Sequence, residues 1–380
     1  MDFDLNDDQR MLKDSVDRLV ADRYGFEQRR GFMAEPTGWS RAIWSQFAEL
    51  GLLGLPFAEE HGGFGGGPVE TMIVAETFGR GLVVEPYLAT VVLGGGLIRR
   101  AADPAVQAEL LPKIAAGELL LAFAHMERQS RYELHNVATI ARAEGGRYRL
   151  EGEKGVVLHG DTADKFLVTA RISGGTRDKQ GIGLFLVDAR SEGVSVRGYA
   201  TQDGLRAAEV SLAGAYGVAL GEPGGALPIV ERVVDEAIAY LAAESVGVME
   251  AMHAATVDYM KQRKQFGRAI GEFQALQHRA VDMYVLLEQA RSMAIYATMM
   301  AAEDDAEARH KAVAAAKVQI GRSGRKIGQE AVQLHGGIGM TMEYMVGHYF
   351  KRMTMIDILF GDADTHLAAL AEGSGVLEAA

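Results

Sequence analysis

The sequence predicts a mainly helical α+β protein in three parts: an N-terminal helical domain over residues 1–120, a middle β domain over 121–225 and a C-terminal helical domain over 226–380. Three observations predict it. Apolar residues recur at helical spacing before about residue 120 and again after Pro228. Between them lie short runs of β-formers separated by Gly, Asp and Ser. Only 8 prolines interrupt the 380 residues, so few helix breaks are obligatory.

At the N-terminus Asn6 precedes Gln9 by three residues, the spacing of a capping box, and Leu12, Val16, Leu19 and Val20 follow as one apolar stripe. Further helical stretches carry Trp39, Ile43, Phe47 and Leu50, then Val69 to Phe78. The glycine-dense His61-Gly62-Gly63-Phe64-Gly65-Gly66-Gly67 between them marks a loop. The β domain shows strand-like runs at Tyr148 to Leu150, Val156 to Leu158, Phe166 to Thr169, Leu184 to Val187 and Glu209 to Leu212. Past Pro228 one stripe runs through Val230, Val234, Ala237, Leu241, Val248 and Met252, and a second through Leu276, Ala280, Met283 and Leu287. A third repeats every seven positions at Val313, Ile320, Ile327 and Leu334, which suits long helices packed nearly antiparallel.

Composition excludes several classes. With no cysteine there is no disulfide framework, no cysteine-ligated metal and no thiol nucleophile. Lys plus Arg total 39 against 51 for Asp plus Glu, a formal net charge of −12, so no overall field draws the chain to nucleic acid or to an anionic membrane. The acidic start with Asp2, Asp4, Asp7 and Asp8 lacks a basic leader region, and the apolar runs stop short of the ~20 residues a bilayer needs. A cytoplasmic protein is expected, without nucleic acid or membrane insertion. No phosphate-binding Walker loop, serine-nucleophile elbow, paired-histidine zinc helix or dinucleotide glycine fingerprint is present. The histidines lack ligand spacing, so no metal is expected, and His125, His135 and His159 read as loop or core residues. The methionines of 293–300 and 340–355 could line an acyl pocket, but as a rule such residues fill irregular gaps in the core, and that reading is favoured.

Two segments carry chemistry. Tyr259 to Gln274 is basic and aromatic between two apolar helices. Arg263 offers a guanidinium fork suited to a pyrophosphate, Phe266 a flat apolar face, and Gln274 an amide that donates and accepts. Alone, the segment reads equally as a solvated turn. Gln333-Leu334-His335-Gly336-Gly337-Ile338-Gly339-Met340 ends the third long helix with glycines that permit positive φ and a close approach to the backbone, or that serve only as a C-cap.

RKQFG, FQALQH and QLHGGIGM in this order, behind PFAEEHGGFGGG, resemble the acyl-CoA dehydrogenases, and the resemblance covers essentially the whole chain. It implies that family's fold, with a β-barrel-like middle domain and a C-terminal four-helix bundle. It also implies an FAD enzyme of fatty acid metabolism that removes hydrogens from Cα and Cβ of an acyl-CoA thioester. A carboxylate takes the α proton, the β hydride goes to the flavin, and electrons pass to electron-transferring flavoprotein. In this family each FAD sits at a subunit contact, and the groups a neighbour lends match Arg263, Phe266, Gln274, Gln333, His335, Gly336 and Gly337.

The resemblance also exposes departures. The family's TEP-then-GSD loop matches Phe123 to Tyr132, where the signature is missing, and its Trp-Ile-Thr strand matches Val156-Val157-Leu158. The common catalytic glutamate falls on Gly361, and the alternative base position on Ala237. Glu236 and Asp362 are the remaining candidates, while Asp235 and Ile238 stand for a substrate-contact Asp and Arg. The losses fall on groups a subunit uses for its own flavin, so one subunit of a heterotetramer is expected. A self-sufficient homotetramer using Asp362 or Glu236, or a noncatalytic subunit, are the alternatives.

Overall fold

Asn6 begins the first helix as its spacing demands: Asn6 Oδ1 accepts from the Gln9 N–H at 2.8 Å, and Gln9 Oε1 accepts from the Asn6 N–H at 3.0 Å. The computed structural model describes residues 5–373. Its helices are α1 (Asp7–Arg23), α2 (Phe26–Met33), α3 (Arg41–Glu49), α4 (Pro68–Gly81), α5 (Gly96–Ala101), α6 (Pro104–Ala115), α7 (Leu227–Gln262), α8 (Gln274–Met300), α9 (Ala306–His335), α10 (Met345–Ile358) and α11 (Ala363–Gly373). Its strands are β1 (Leu121–Ala124), β2 (Ile140–Glu144), β3 (Arg147–Leu158), β4 (Lys165–Arg171), β5 (Ile182–Asp188), β6 (Val194–Ala200), β7 (Arg206–Leu220), β8 (Lys264–Gln265) and β9 (Arg268–Ala269). The order is helices, then β, then helices. Among the described residues no helix is long and apolar enough to cross a membrane.

The described chain divides into two units, one of residues 5–30, 68–83 and 238–373, the other of 31–67 and 84–237. In the first, α9 packs against α8, α10 and α11, and α4 against α1 and α8. The seven-residue repeat of α9 is the buried stripe: Val313, Ile320, Ile327 and Leu334 are all in the core. Two glycines let α4 and α7 cross closely, since a Cβ at Gly79 would collide with the Glu244 carbonyl and one at Gly247 with the Glu76 carbonyl. Arg352 of α10 binds the buried Glu244 of α7 through two parallel bonds of 2.6 and 2.9 Å.

In the second unit the strand pairings close a ring, β4–β2–β3–β7–β5–β4, with β1 added parallel to β4 and β6 antiparallel to β7. Its interior is filled by Leu150, Phe166, Val168, Phe185, Val187 and Val210 among others. The two runs read separately at Tyr148 and at Val156 are one strand, β3, interrupted by register shifts at Leu150/Glu151 and Lys154/Val157. Residues Leu88–Gly95 form a fully buried i→i+5 helix that runs into α5. Of the methionines expected in the core, Met353 and Met355 are buried, whereas Met340 and Met342 are exposed.

Candidate functional site

α7 ends at Gln262, and the chain reverses through Phe266 (φ 53°) and Gly267 (φ 80°), closing β8 on β9 with Lys264 opposite Ala269 and Gln265 opposite Arg268. Two positive φ values give the tight turn whose twist matches a hairpin, a turn that favours Asn-Gly. Gly267 accepts it freely, but for a residue with a β-carbon the left-handed region costs about 1–2 kcal/mol. The Phe266 ring recovers little of that. It is 91% exposed, touching Phe273 edge-on at 6.1 Å, while the Arg268 guanidinium covers the Phe273 face at 4.7 Å. Arg263 is exposed where α7 ends, and among the described residues its guanidinium has neither an ion-pair nor a hydrogen-bond partner. Gln274, the first residue of α8, is exposed beside this hairpin in sequence.

At the end of α9, Gln333 is exposed and His335 is buried. The imidazole of His335 stacks on Tyr259 at 4.5 Å, leans on Tyr344 at 5.1 Å, and places Nδ1 2.8 Å from the Ala331 carbonyl. Burial lowers its pKa against the opposing pull of the Ala331 and Ala255 carbonyls. Because the Tyr259 carbonyl accepts the Arg263 N–H at 2.8 Å, the His335–Tyr259 stack ties the end of α9 to the last turn of α7. Gly336 follows at φ 63°, ψ −139°, a conformation that glycine alone adopts readily. Nothing stands within 4 Å of where a Cβ of Gly336 or Gly337 would be, so both stretches of backbone are open to close approach.

The candidate bases are engaged elsewhere. Glu236, in the second unit, faces Arg99 at 3.4 Å, Arg232 at 3.3 Å and Arg100. Asp362, in the first unit, caps α11: its Oδ1 accepts from Thr365 N at 2.8 Å and Thr365 Oγ1 at 2.7 Å. The Thr365 backbone N–H is the main reason its pKa lies below the usual carboxylate range. Gly361 is buried at φ 105°, and a Cβ there would stand 2.7 Å from His366 Nε2. Its carbonyl accepts from Lys317 Nζ at 2.8 Å, and the same ammonium binds the Ile356 and Asp357 carbonyls at 2.7 Å each. Burial pulls Lys317 down to about 8. Ala237 and Asp235 are buried in the body of α7.

A buried charged pair among the strands of the second unit has no signature in the sequence. Lys154 Nζ lies 2.6 Å from Glu127 Oε1, with both side chains almost fully buried. Glu127 also accepts from Gln129 Nε2 at 2.6 Å, Ala138 N at 2.7 Å and Thr139 N at 3.1 Å. Burial acts to raise its pKa, but the ammonium and these donors outweigh burial and hold it at about 2. His125 is stacked on Phe123 at 4.6 Å and pushed down to about 4, first by burial and then by the Lys154 charge. Beside Lys154, Val156 holds φ 49° at the bulge, a strained conformation for a β-branched residue. The clustering of Arg99, Arg100 and Arg232 on Glu236, and the triple carbonyl contact of Lys317, were likewise silent. Arg232 does stand four residues before Glu236 on α7, but Arg99 and Arg100, and the carbonyls that Lys317 binds, lie far along the chain from their partners.

Comparison with known proteins gives three consecutive domain matches: acyl-CoA dehydrogenase N-terminal domain over residues 6–118, middle domain over 122–213 and C-terminal domain over 226–375. Acyl-CoA dehydrogenase IpdE2 of Mycobacterium tuberculosis is 30% identical over 349 residues, covering 91% of this chain and 91% of that protein. The probable acyl-CoA dehydrogenase YngJ of Bacillus subtilis is 28% identical over 382 residues, covering 98% and 99%. A chain of the solved ChsE4–ChsE5 complex from Mycobacterium tuberculosis is 28% identical with a TM-score of 0.87, covering 100% of this chain and 99% of that one. Matched in all three parts and nearly from end to end, the chain belongs to the acyl-CoA dehydrogenase family, FAD-dependent oxidoreductases that act on CH–CH bonds.

Proposed function

We propose that this chain is one subunit of a heteromeric acyl-CoA dehydrogenase and completes an FAD site it shares with a second dehydrogenase-like subunit, which supplies the base. One contrast carries the reading. The Arg263–Phe266 hairpin presents an unpartnered guanidinium and an uncovered ring, while Gly361, Ala237, Glu236 and Asp362 offer no disengaged carboxylate. The solved ChsE4–ChsE5 pair supports such an arrangement.

The residues fit FAD. Arg263 would hold the pyrophosphate, Phe266 would cover an apolar ring, and the Gln274 and Gln333 amides would supply hydrogen bonds. Gly336 and Gly337 would admit the cofactor to the backbone, because no side chain obstructs them, with His335 fixing the helix end from behind. FAD, when bound, supplies the hydride acceptor for α,β-dehydrogenation of an acyl-CoA thioester, with electron-transferring flavoprotein taking the electrons. For the acyl group we propose a dicarboxylyl chain such as pimeloyl, solely on the resemblance of the sequence to the small subunit of pimeloyl-CoA dehydrogenase; a steroid side-chain or aromatic-pathway thioester is equally compatible with a wide, partner-shared pocket. Assembly as a cytoplasmic heterotetramer, two of each chain, completes the proposal.

The test is FAD per chain for this protein purified alone and with its partner subunit. Little flavin alone and one FAD for each pair of chains in the complex is expected. Arg263→Ala should weaken FAD retention in the complex by about 1.5–3 kcal/mol, the scale of a charge-assisted hydrogen bond. One FAD per isolated chain with turnover would instead identify a homotetramer using Asp362 or Glu236. Absence of FAD even in the complex would leave a noncatalytic subunit.

A further inference from the structure

In the second unit, α7 opens with Pro228 and Ile229. These residues, Arg232 one turn on, and Arg99 and Arg100 from α5 line an open cleft of about 510 Å³. Glu236 lies against the same three arginines, at 3.4 Å from Arg99 Nη2 and 3.3 Å from Arg232 Nε, with Arg100 Nη2 also on its carboxylate. An ion pair that merely clips α5 to α7 needs one arginine. Three guanidiniums converge on the Glu236 carboxylate at a wall that opens to solvent. Arg99 registers the crowding: burial lowers its pKa, and Arg100 and Arg232 push the same way against the attraction of Glu236. Arg99 is further held by the Pro56 carbonyl at 2.9 Å, so the cluster cannot relieve repulsion by swinging that side chain away. The start of the 36-residue α7 adds the positive end of a helix dipole to the same wall.

We propose that this cleft binds a phosphate-bearing anion, a free pyrophosphate or the phosphates of a nucleotide, through Arg99, Arg100 and Arg232. Guanidinium forks match phosphate oxygens in pairs, and the volume suits a small ligand. Glu236 then acts as the internal counter-ion that keeps the arginines in place and competes with the ligand for them. This site is independent of the flavin reading above.

The competition makes the test two-signed. The full chain is titrated calorimetrically with pyrophosphate at low ionic strength. Arg100→Gln and Arg232→Gln should each weaken binding about tenfold, whereas Glu236→Gln should tighten it several-fold. A purely structural cluster predicts no saturable heat, or an equal loss in all three variants, and either result overturns the proposal. A measurement on the unaltered protein covers variants that fail to fold: modification of arginines by phenylglyoxal, read peptide by peptide with and without pyrophosphate. Protection at Arg99, Arg100 and Arg232 supports the site, while protection confined to Arg263 refutes it. Adenosine 3′,5′-bisphosphate serves as the second probe. Tighter protection by it than by pyrophosphate points to a nucleotide as the natural source, and equal protection to a free phosphate.

Discussion

Phe266→Asn should leave the isolated chain as stable as before, or slightly more stable, while removing flavin from the assembled enzyme. Relief of the left-handed conformation at φ 53° contributes about 1–2 kcal/mol, since Asn tolerates that region and Asn-Gly suits the turn. Against it stands the lost ring. At 91% exposure it buries only about 20 Å², worth about 0.5 kcal/mol, and its edge contact with Phe273 at 6.1 Å adds about 0.5 kcal/mol. The balance lies between zero and about 1 kcal/mol in favour of Asn, which a urea titration of the full chain resolves from its midpoint. Flavin absorbance of the co-purified complex is the second readout, and it should fall. A loss of more than about 1 kcal/mol in the isolated chain would refute the reasoning, because the ring would then be packed rather than presented.

Lys154→Met should cost about 3–5 kcal/mol, by leaving Glu127 buried without its counter-charge, and adding Glu127→Gln should recover part of it in thermal or urea unfolding. Because the Glu127 pKa is lowered to about 2, its stabilisation is complete above the ordinary carboxylate range and is lost as pH falls towards about 2. The double variant should therefore show a shallower loss of stability with acid. Asp362→Asn and Glu236→Gln should leave kcat of the assembled enzyme within about threefold, and a loss of several orders in either would return the base to this chain. Gly361→Glu should destabilise by about 1–3 kcal/mol from backbone strain alone, and should give the isolated chain no turnover. Turnover gained in that variant would mean the position is open after all.

What was legible in the sequence was whatever repeats locally. The seven-residue stripe of α9 and the capping box at Asn6 both formed as their spacing requires, and the strand-like runs fall on β3, β4, β5 and β7. β6 escaped notice because its residues are mostly exposed, and β1 because all four of its residues are buried. The helix at Leu88–Gly95 is buried on every side, so it carries no amphipathic stripe. For the candidate site, residue type and order pointed to Arg263, Phe266 and the glycines after His335. The strain at Phe266 is a property of backbone angles, and the engagement of Glu236 by Arg99 and Arg100 a property of distant partners, which no window of sequence contains.

The segment at Gly361 argues against simple decay of an active site. Truncating a catalytic side chain leaves a gap where it stood. Here the position is filled and fastened: the His366 imidazole stands 2.7 Å from where a side chain would begin, and φ 105° is strained for any residue but glycine. Three carbonyls, of Ile356, Asp357 and Gly361, converge on a single buried ammonium that no neutral residue could replace. Each of those bonds is charge-assisted, and together they offset part of the desolvation that pulls Lys317 down to about 8. The loop is thus stabilised around the glycine. The hairpin shows the converse, a strained aromatic held out with nothing of its own unit covering it. A conformation that costs free energy persists where another contact offsets it, and for Phe266 the proposed FAD site shared with the partner subunit supplies that contact.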